Sequence, residues 1–341
     1  MKVLLTGGSG FLGSHIAREL TAAGHSARLL LREGSKRDGL VGLTYETALG
    51  DILDRASLDR AMDGVDAVIH TAGLVSFRRK AKADLFRVNV DGTRNVLAAA
   101  QARGIRVVHT SSIAAIGATE SPSVLNEESP WTIGDYGIHY INSKRRGEEV
   151  VREFAEQGVN AVIVNPGTIL GPGDVYLTSS RFVLEYLRGR NTFYPGGGTS
   201  FCDVREVARA HVTALTKGRT GERYILAGQN VTYREALQTF HALSGAQRPR
   251  RLPKALGFVA AFFCEAAALV ARHPLEDVTF PFIRFSFLYQ AYDVSKAARE
   301  LDYVVRPFEE TVRDTILDHL KRGLAKPTTP TLRAYLEPQP N

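Results

Sequence analysis

Short apolar runs alternate with longer stretches in which apolar side chains return at helical spacing, and this rhythm fills the first half of the chain. Lys2–Thr6, Ala27–Arg32, Asp66–His70, Arg106–Ser111 and Asn160–Asn165 read as strands; Phe11–Ala23, Arg55–Met62, Ala83–Arg103 and Tyr140–Gln157 read as helices. Strands separated by helices do not pair as hairpins but wind into a parallel sheet covered on both faces. The predicted fold is therefore α/β, a doubly wound parallel sheet over residues 1–170 with further strand and helix contributions from about 200–228. Past Pro166-Gly167 the pattern loosens. Gly171-Pro172-Gly173 and Pro195-Gly196-Gly197-Gly198 interrupt it, and helical segments around Val204–Thr216 and Tyr233–Leu243 alternate with short strands such as Arg223–Leu226. Residues 171–325 read as mainly a smaller C-terminal substrate lobe over the sheet's carboxyl edge. Residues 326–341, with Pro327, Pro330, Pro338 and Pro340, read as a solvated tail.

Composition narrows the class. A chain of 341 residues, 44% hydrophobic and 23% charged, is globular rather than disordered or fibrous. The formal charge of +7 raises nucleic acid as a partner, but the bases are scattered. Only Arg78-Arg79-Lys80-Ala81-Lys82 and Arg248-Pro249-Arg250-Arg251 form runs, without interleaved aromatics, so no nucleic acid is expected; solvated loops or contact with an anionic surface fit better. Ala255–Ala271 is strongly apolar yet broken by Glu265, and falls short of the ~20 residues that cross a bilayer. It reads as a buried or interfacial helix, and residues 248–271 together as a candidate peripheral membrane contact. Two cysteines, Cys202 and Cys264, are too few for a disulfide framework, and no export signal opens the chain, so the cytoplasm is the expected compartment. The nine histidines are dispersed and offer no metal site; His139 reads as a pocket-rim residue.

The chemistry begins at Thr6-Gly7-Gly8-Ser9-Gly10-Phe11-Leu12-Gly13, which leaves the first strand and opens the first helix. In that position glycines permit the turn, let backbone N–H groups reach a pyrophosphate and bring helix against strand, the dinucleotide fingerprint of a Rossmann-type sheet. Gly7, Gly10, Phe11, Leu12 and Gly13 are the cofactor candidates there. At the end of the second strand a carboxylate would bond the adenosine ribose and a guanidinium would pair with a 2′-phosphate. The strand ends Leu30-Leu31-Arg32, with Lys36 and Arg37 close behind, so NADP is expected and NAD is the alternative.

Tyr140 and Lys144 stand four apart on one helix face. A phenol needs a nearby cation to ionise near neutral pH, and Lys144 can supply it. The spacing alone is weak, since Tyr292 and Lys296 repeat it, but that pair reads as a helix start capped by Asp293 in the outer lobe. Tyr140 instead lies with Ser112, after Thr110-Ser111, at the sheet edge where ligands bind; Ser112 would hydrogen-bond the substrate oxygen.

The glycine loop, Gly50-Asp51, His70-Thr71-Ala72-Gly73, Asn89, Ser112, Tyr140 with Lys144, and Asn165-Pro166-Gly167 together resemble an extended short-chain dehydrogenase/reductase of the NAD-dependent epimerase/dehydratase superfamily, over residues 1 to about 320. Within it the chain is similar to the group of dihydroflavonol 4-reductases, 3β-hydroxysteroid dehydrogenases and hopanoid-associated epimerase-like proteins. The resemblance implies that Asp51 and Ile52 hold the adenine, that Thr71, Ala72 and Gly73 line the phosphate and ribose path, that Pro166 and Gly167 abut the nicotinamide, and that Lys144 also bonds its ribose. Gly73 stands where the family often has alanine, and Glu206 where it usually has aspartate. Ile113-Ala114 replaces the Asp-Glu pair of the dehydratases, and Thr199 replaces the arginine that binds a sugar-nucleotide diphosphate in many epimerases. The expected activity is interconversion of a secondary alcohol and a ketone on a small apolar molecule of steroid, terpenoid or flavonoid type. A sugar or nucleotide-sugar epimerase with retained NAD is the alternative, and a non-catalytic cofactor-binding regulator a third reading. Relatives are often homodimers, so a homodimer is the expected assembly.

Overall fold

Alternation along the first strand sets the layering: Val3 and Leu5 pack into one buried cluster and Leu4 into another on the opposite face. A computed structural model describes residues 1–190, 192–270 and 279–337. Ala271, Pro338 and Pro340 lie outside the described residues, as do the side chains of Glu265, Leu269 and Val270.

Counting strands of three or more residues, the central sheet is built from β1 (Lys2–Thr6), β2 (Ser26–Leu31), β3 (Glu46–Leu49), β4 (Ala67–His70), β5 (Arg106–Thr110) and β6 (Ala161–Pro166). Next come β7 (Thr168–Leu170) and β8 (Gly198–Asp203) of a second sheet, then β9 (Arg223–Leu226), which closes the first, and β10 (Gln229–Thr232). The seven strands of the first sheet are all parallel, in the order β9-β6-β5-β4-β1-β2-β3. This is the Rossmann-type doubly wound fold, and its strand order reverses between β1 and β4, where such sheets bind ligands. The second sheet, β10-β8-β7, continues from the carboxyl end of β6 and carries the smaller lobe.

Helices α1 (Phe11–Ala22), α2 (Arg55–Ala61), α3 (Gly92–Gln101), α4 (His139–Glu156) and α5 (Val204–Lys217) cover the central sheet. Ile16 and Leu20 of α1 meet Val207 and Ala208 of α5 on one face; Leu58, Val96, Leu97, Val150 and Phe154 from α2, α3 and α4 fill the other. The lobe has a separate core in which Phe201, Phe240, Phe308 and Tyr186 are buried together. Three details differ from the sequence reading. The helix expected over 83–103 is interrupted by a π-turn at Arg87–Asp91 before α3. β3 is an added edge strand, largely exposed, which is why no apolar run announces it. The tail is docked as far as Tyr335: Thr329 caps the helix Pro330–Ala334 through the Leu332 N–H, and Leu332 is buried in the lobe core.

One ion pair ties α4 to the sheet. Glu148 is fully buried, and its carboxylate takes hydrogen bonds from Ser111 Oγ (2.6 Å) and Asn165 Nδ2 (2.6 Å), while Arg223 Nη1 of β9 lies 3.2 Å away. Removing the cation would leave a carboxylate without its buried partner. Arg223→Met is therefore expected to lower the unfolding free energy by about 3–5 kcal/mol, measured as a lower urea midpoint at unchanged slope.

Candidate active site

The glycine loop closes on itself before the helix starts. Gly10 N–H donates to Gly7 O (2.9 Å), and Gly7 takes φ +72°, a left-handed conformation that glycine adopts without strain. A Cβ on Gly13 would stand 2.2 Å from the Gly7 carbonyl oxygen, so only glycine lets α1 approach the loop this closely. Helix α1 opens with no side-chain cap and no acid in its first turn. Its positive end is thus left to an external anion, and the cradle fits a pyrophosphate.

Around it stand the other residues expected to contact cofactor. Thr71 bonds the Thr6 carbonyl through Oγ1 (2.7 Å) and packs against Gly7 with Ala72. Asp51 accepts the Leu53 N–H (2.9 Å), and Ile52 is buried against Gly92, where a Cβ would meet it at 2.5 Å. Gly73 sits beside the catalytic candidates, its Cβ position 4.0 Å from Lys144 Nζ. Pro166 is buried at the end of β6, and Gly167 lies so close to the Ser200 carbonyl that a Cβ would stand 2.6 Å from it. Arg32, Lys36 and Arg37 are exposed past the end of β2, with Lys36 over the Tyr176 ring at 5.9 Å.

Ser112, Tyr140 and Lys144 come together at the carboxyl edge. Ser112 follows β5 in extended conformation, and its side chain accepts the Ala114 N–H at 3.2 Å. The first turn of α4 presents Tyr140, whose phenol is pushed up from its ordinary value by burial, with the neighbouring Ser112 hydroxyl partly offsetting that. Lys144 donates to the Thr110 carbonyl at 2.8 Å; burial lowers it to about 8, opposed by Glu148 one turn on. The expectation that the lysine draws the phenol toward neutrality is not what this geometry gives. At neutral pH the site holds a protonated phenol beside an ammonium. Behind them lie three buried imidazoles, His70, His109 and His211; desolvation lowers His70 to about 3 and His211 to about 4, and holds His109 well below its ordinary value. They stay neutral, and among the described residues Lys144 carries the positive charge of this layer.

Two residues that the sequence reading passed over serve the site. Phe77 stacks edge-on against Tyr140 (centroids 5.5 Å) and against Phe282 (5.3 Å), forming an apolar wall over the phenol. Glu148 bonds Ser111, and through Asn165, which also donates to the Ser112 carbonyl (3.0 Å), it fixes the strand end that carries Ser112. A charged residue on the inward face of α4, among Ile141, Val151 and Phe154, was the available signal. Asn89, quoted only through the resemblance, bonds Leu74 N–H and C=O and the Ser143 hydroxyl, bracing α4 against the loop after β4. The rival pair separates: Tyr292 donates to Gly117 O (2.6 Å), whereas Lys296 bonds Glu222 and the Arg223 carbonyl. Asp293 accepts the Ser295 N–H, although the helix begins one residue later than a cap at Asp293 requires.

Fold and site together define a dinucleotide-dependent enzyme of the extended short-chain dehydrogenase/reductase type. Residues 3–227 match the model of the NAD dependent epimerase/dehydratase family, and the chain belongs to that family. It is 34% identical over 338 residues to the sterol demethylase protein B of Methylococcus capsulatus, covering 95% of this chain and 100% of that protein. It is 33% identical over 330 residues to a putative dihydroflavonol 4-reductase of Synechocystis, covering 94% and 95% respectively. The crystal structure of a nucleoside-diphosphate-sugar epimerase from Pseudomonas aeruginosa superposes with a TM-score of 0.78 at 26% identity, over 96% of this chain and 99% of that one.

The lowered Lys144 value has two consequences of opposite sense. Between about 8 and its ordinary 10.5 the unfolded chain binds the proton that the folded chain has released, so this group's contribution to stability rises with pH over that window. The site meanwhile loses its ammonium. Turnover is expected to fall above pH about 8, and Lys144→Arg, which stays charged, should remove that limb from the pH profile of kcat/KM.

Proposed function

We propose that the enzyme interconverts a secondary alcohol and a ketone on a small apolar molecule, with NADP as its dinucleotide. The observation that carries this reading is a protonated phenol, Tyr140, beside the Ser112 hydroxyl and beneath the apolar wall of Phe77 and Phe282. When bound, the dinucleotide supplies the hydride in reduction and accepts it in oxidation. The chain's own residues handle the oxygen. Ser112 donates a hydrogen bond to the carbonyl oxygen, which strengthens as negative charge develops there. Tyr140 transfers its proton to that oxygen, giving the alcohol, and the Lys144 ammonium favours the phenolate left behind. In oxidation the same groups act in reverse.

The wall favours an apolar substrate. The two relatives of near full-length coverage are named for a sterol and a dihydroflavonol, both ring systems without a diphosphate. The rival reading, a sugar or nucleotide-sugar epimerase with retained NAD, draws on the likeness to the Pseudomonas enzyme. Against it, the position of a diphosphate-binding arginine is held by Thr199, which is buried and bonded to Thr168 Oγ1 at 3.2 Å, and so offers no cation. Arg32, followed by Lys36 and Arg37, supports the 2′-phosphate.

Two measurements test this. Tyr140→Phe is expected to lose at least about 100-fold in kcat while binding NADPH as the wild type does; retained turnover would exclude the phenol as the proton donor. In titrations the wild type should bind NADPH more tightly than NADH, and Arg32→Glu should shrink that preference by about tenfold or more. Equal or tighter binding of NADH by the wild type, or stoichiometric NAD surviving purification, would turn the reading to the epimerase.

A further inference from the structure

The helix Lys254–Val270, labelled α7 here after the lobe helix α6 (Tyr233–Ser244), has two apolar faces. Gly257, Phe258 and Ala261 turn inward, Phe258 stacking on Phe280 at 4.9 Å. The opposite face is apolar as well: Leu256 is 57% exposed, Val259 51%, Phe262 67% and Phe263 65%. A helix facing water on one side ordinarily carries charge there. A contiguous patch of this kind marks a surface that is covered in use.

Its position in the fold connects it to the reaction. From Tyr140 a run of aromatic contacts leads through Phe77 to Phe282, whose helix, α8 (Phe280–Ser286), presents Phe280 to Phe258 of α7. The exposed face therefore belongs to the helix that packs behind this wall. A shallow pocket beside Tyr140, lined by Phe77, Ile138, His139, Thr279 and Phe282, lies on the same route.

Charge indicates what covers the face. Immediately before α7 come Arg248, Arg250 and Arg251, all exposed, then Lys254 in its first turn. Arg250 and Arg251 are held in a short parallel pairing with Phe193–Tyr194, and Phe193 beside them is itself 55% exposed. Exposed aromatics bordered by guanidinium groups match an interface of acyl chains beneath anionic headgroups. Among the described residues no helix is long and apolar enough to cross a membrane, so the contact is one of lying on the surface.

We propose that the exposed face of α7, with the arginines that precede it, docks the enzyme on a bilayer surface carrying anionic lipids, with the mouth of the active site toward the acyl region. The orientation rests on the apolar-substrate reading above, since such a substrate partitions into the bilayer; the docking itself rests on the exposed face and its charge.

The test is co-sedimentation of the whole protein with phosphatidylcholine vesicles containing phosphatidylglycerol, and with vesicles of phosphatidylcholine alone. The wild type should pellet with the first and largely remain in solution with the second. Phe262→Ser combined with Phe263→Ser, at exposed positions, should weaken binding more than about tenfold. Arg250→Gln with Arg251→Gln should weaken it by roughly 25-fold. Unchanged NADPH affinity in both variants shows that the fold is intact. Wild-type protein that stays in solution with both vesicles overturns the proposal, as does a Phe262/Phe263 variant that pellets as well as the wild type. A dimer that this variant converts to monomer, without vesicle binding by the wild type, would assign the face to a second copy instead. Because vesicle binding is read without substrate, it succeeds or fails separately from the Tyr140→Phe test of the reaction.

Discussion

The buried Glu148 carboxylate is the contact on which the active-site geometry depends. It sits four residues beyond Lys144 on α4 and reaches Ser111 at the end of β5, Asn165 at the end of β6 and Arg223 on β9. Three adjacent strands and the catalytic helix are thereby referenced to a single pair of oxygens. A carboxylate in such surroundings needs hydrogen bonds and a cation close by, and both are present. The same charge opposes the loss of a proton from Lys144. Glu148 thus holds the strand ends to α4 and opposes the burial that lowers Lys144.

That division of labour extends outward. The strand layer behind Lys144 is lined by imidazoles that burial keeps neutral, and His70 is satisfied by Thr6 Oγ1 (2.7 Å) and Thr93 Oγ1 (3.2 Å). His70, His109 and His211 therefore add no positive charge behind Lys144. On the other side the surroundings of Tyr140 are apolar, with Phe77 edge-on against both its ring and that of Phe282. Tyr140 thus stands between a polar layer and an apolar one.

Much of this was legible in the chain because local and global demands agree. The buried parallel strands are continuous apolar runs, and the glycine loop falls where a strand must become a helix, so fold class and cofactor cradle follow from pattern alone. Elements whose signal is not apolar were harder to read. Glu46-Thr47-Ala48-Leu49 forms an edge strand because Arg28 and Lys2 hold Glu46 across the sheet, a tertiary cause with no local pattern. The π-turn at Arg87–Asp91 accompanies Asn89 reaching back to Leu74, which periodicity does not encode. Leu332 was hidden by the prolines around it, although Thr329-Pro330 is itself a helix-start signature. Phe77 meets Tyr140 only through the fold.

Tyr292 gives the lobe a hold on the loop that follows Ser112. Its phenol, buried and fed from the strand segment Ala291–Tyr292, bonds carbonyls of the loop that follows Ser112, while Asn165 of the dinucleotide half bonds the Ser112 carbonyl itself. The serine loop is therefore shared property of two halves of the molecule. In families of this kind new substrates are accommodated by reshaping the outer lobe over an unchanged sheet. Here that freedom has a fixed boundary: a lobe exchanged wholesale would have to bring its own anchor for Gly117, or the new specificity would arrive with a displaced Ser112 hydroxyl.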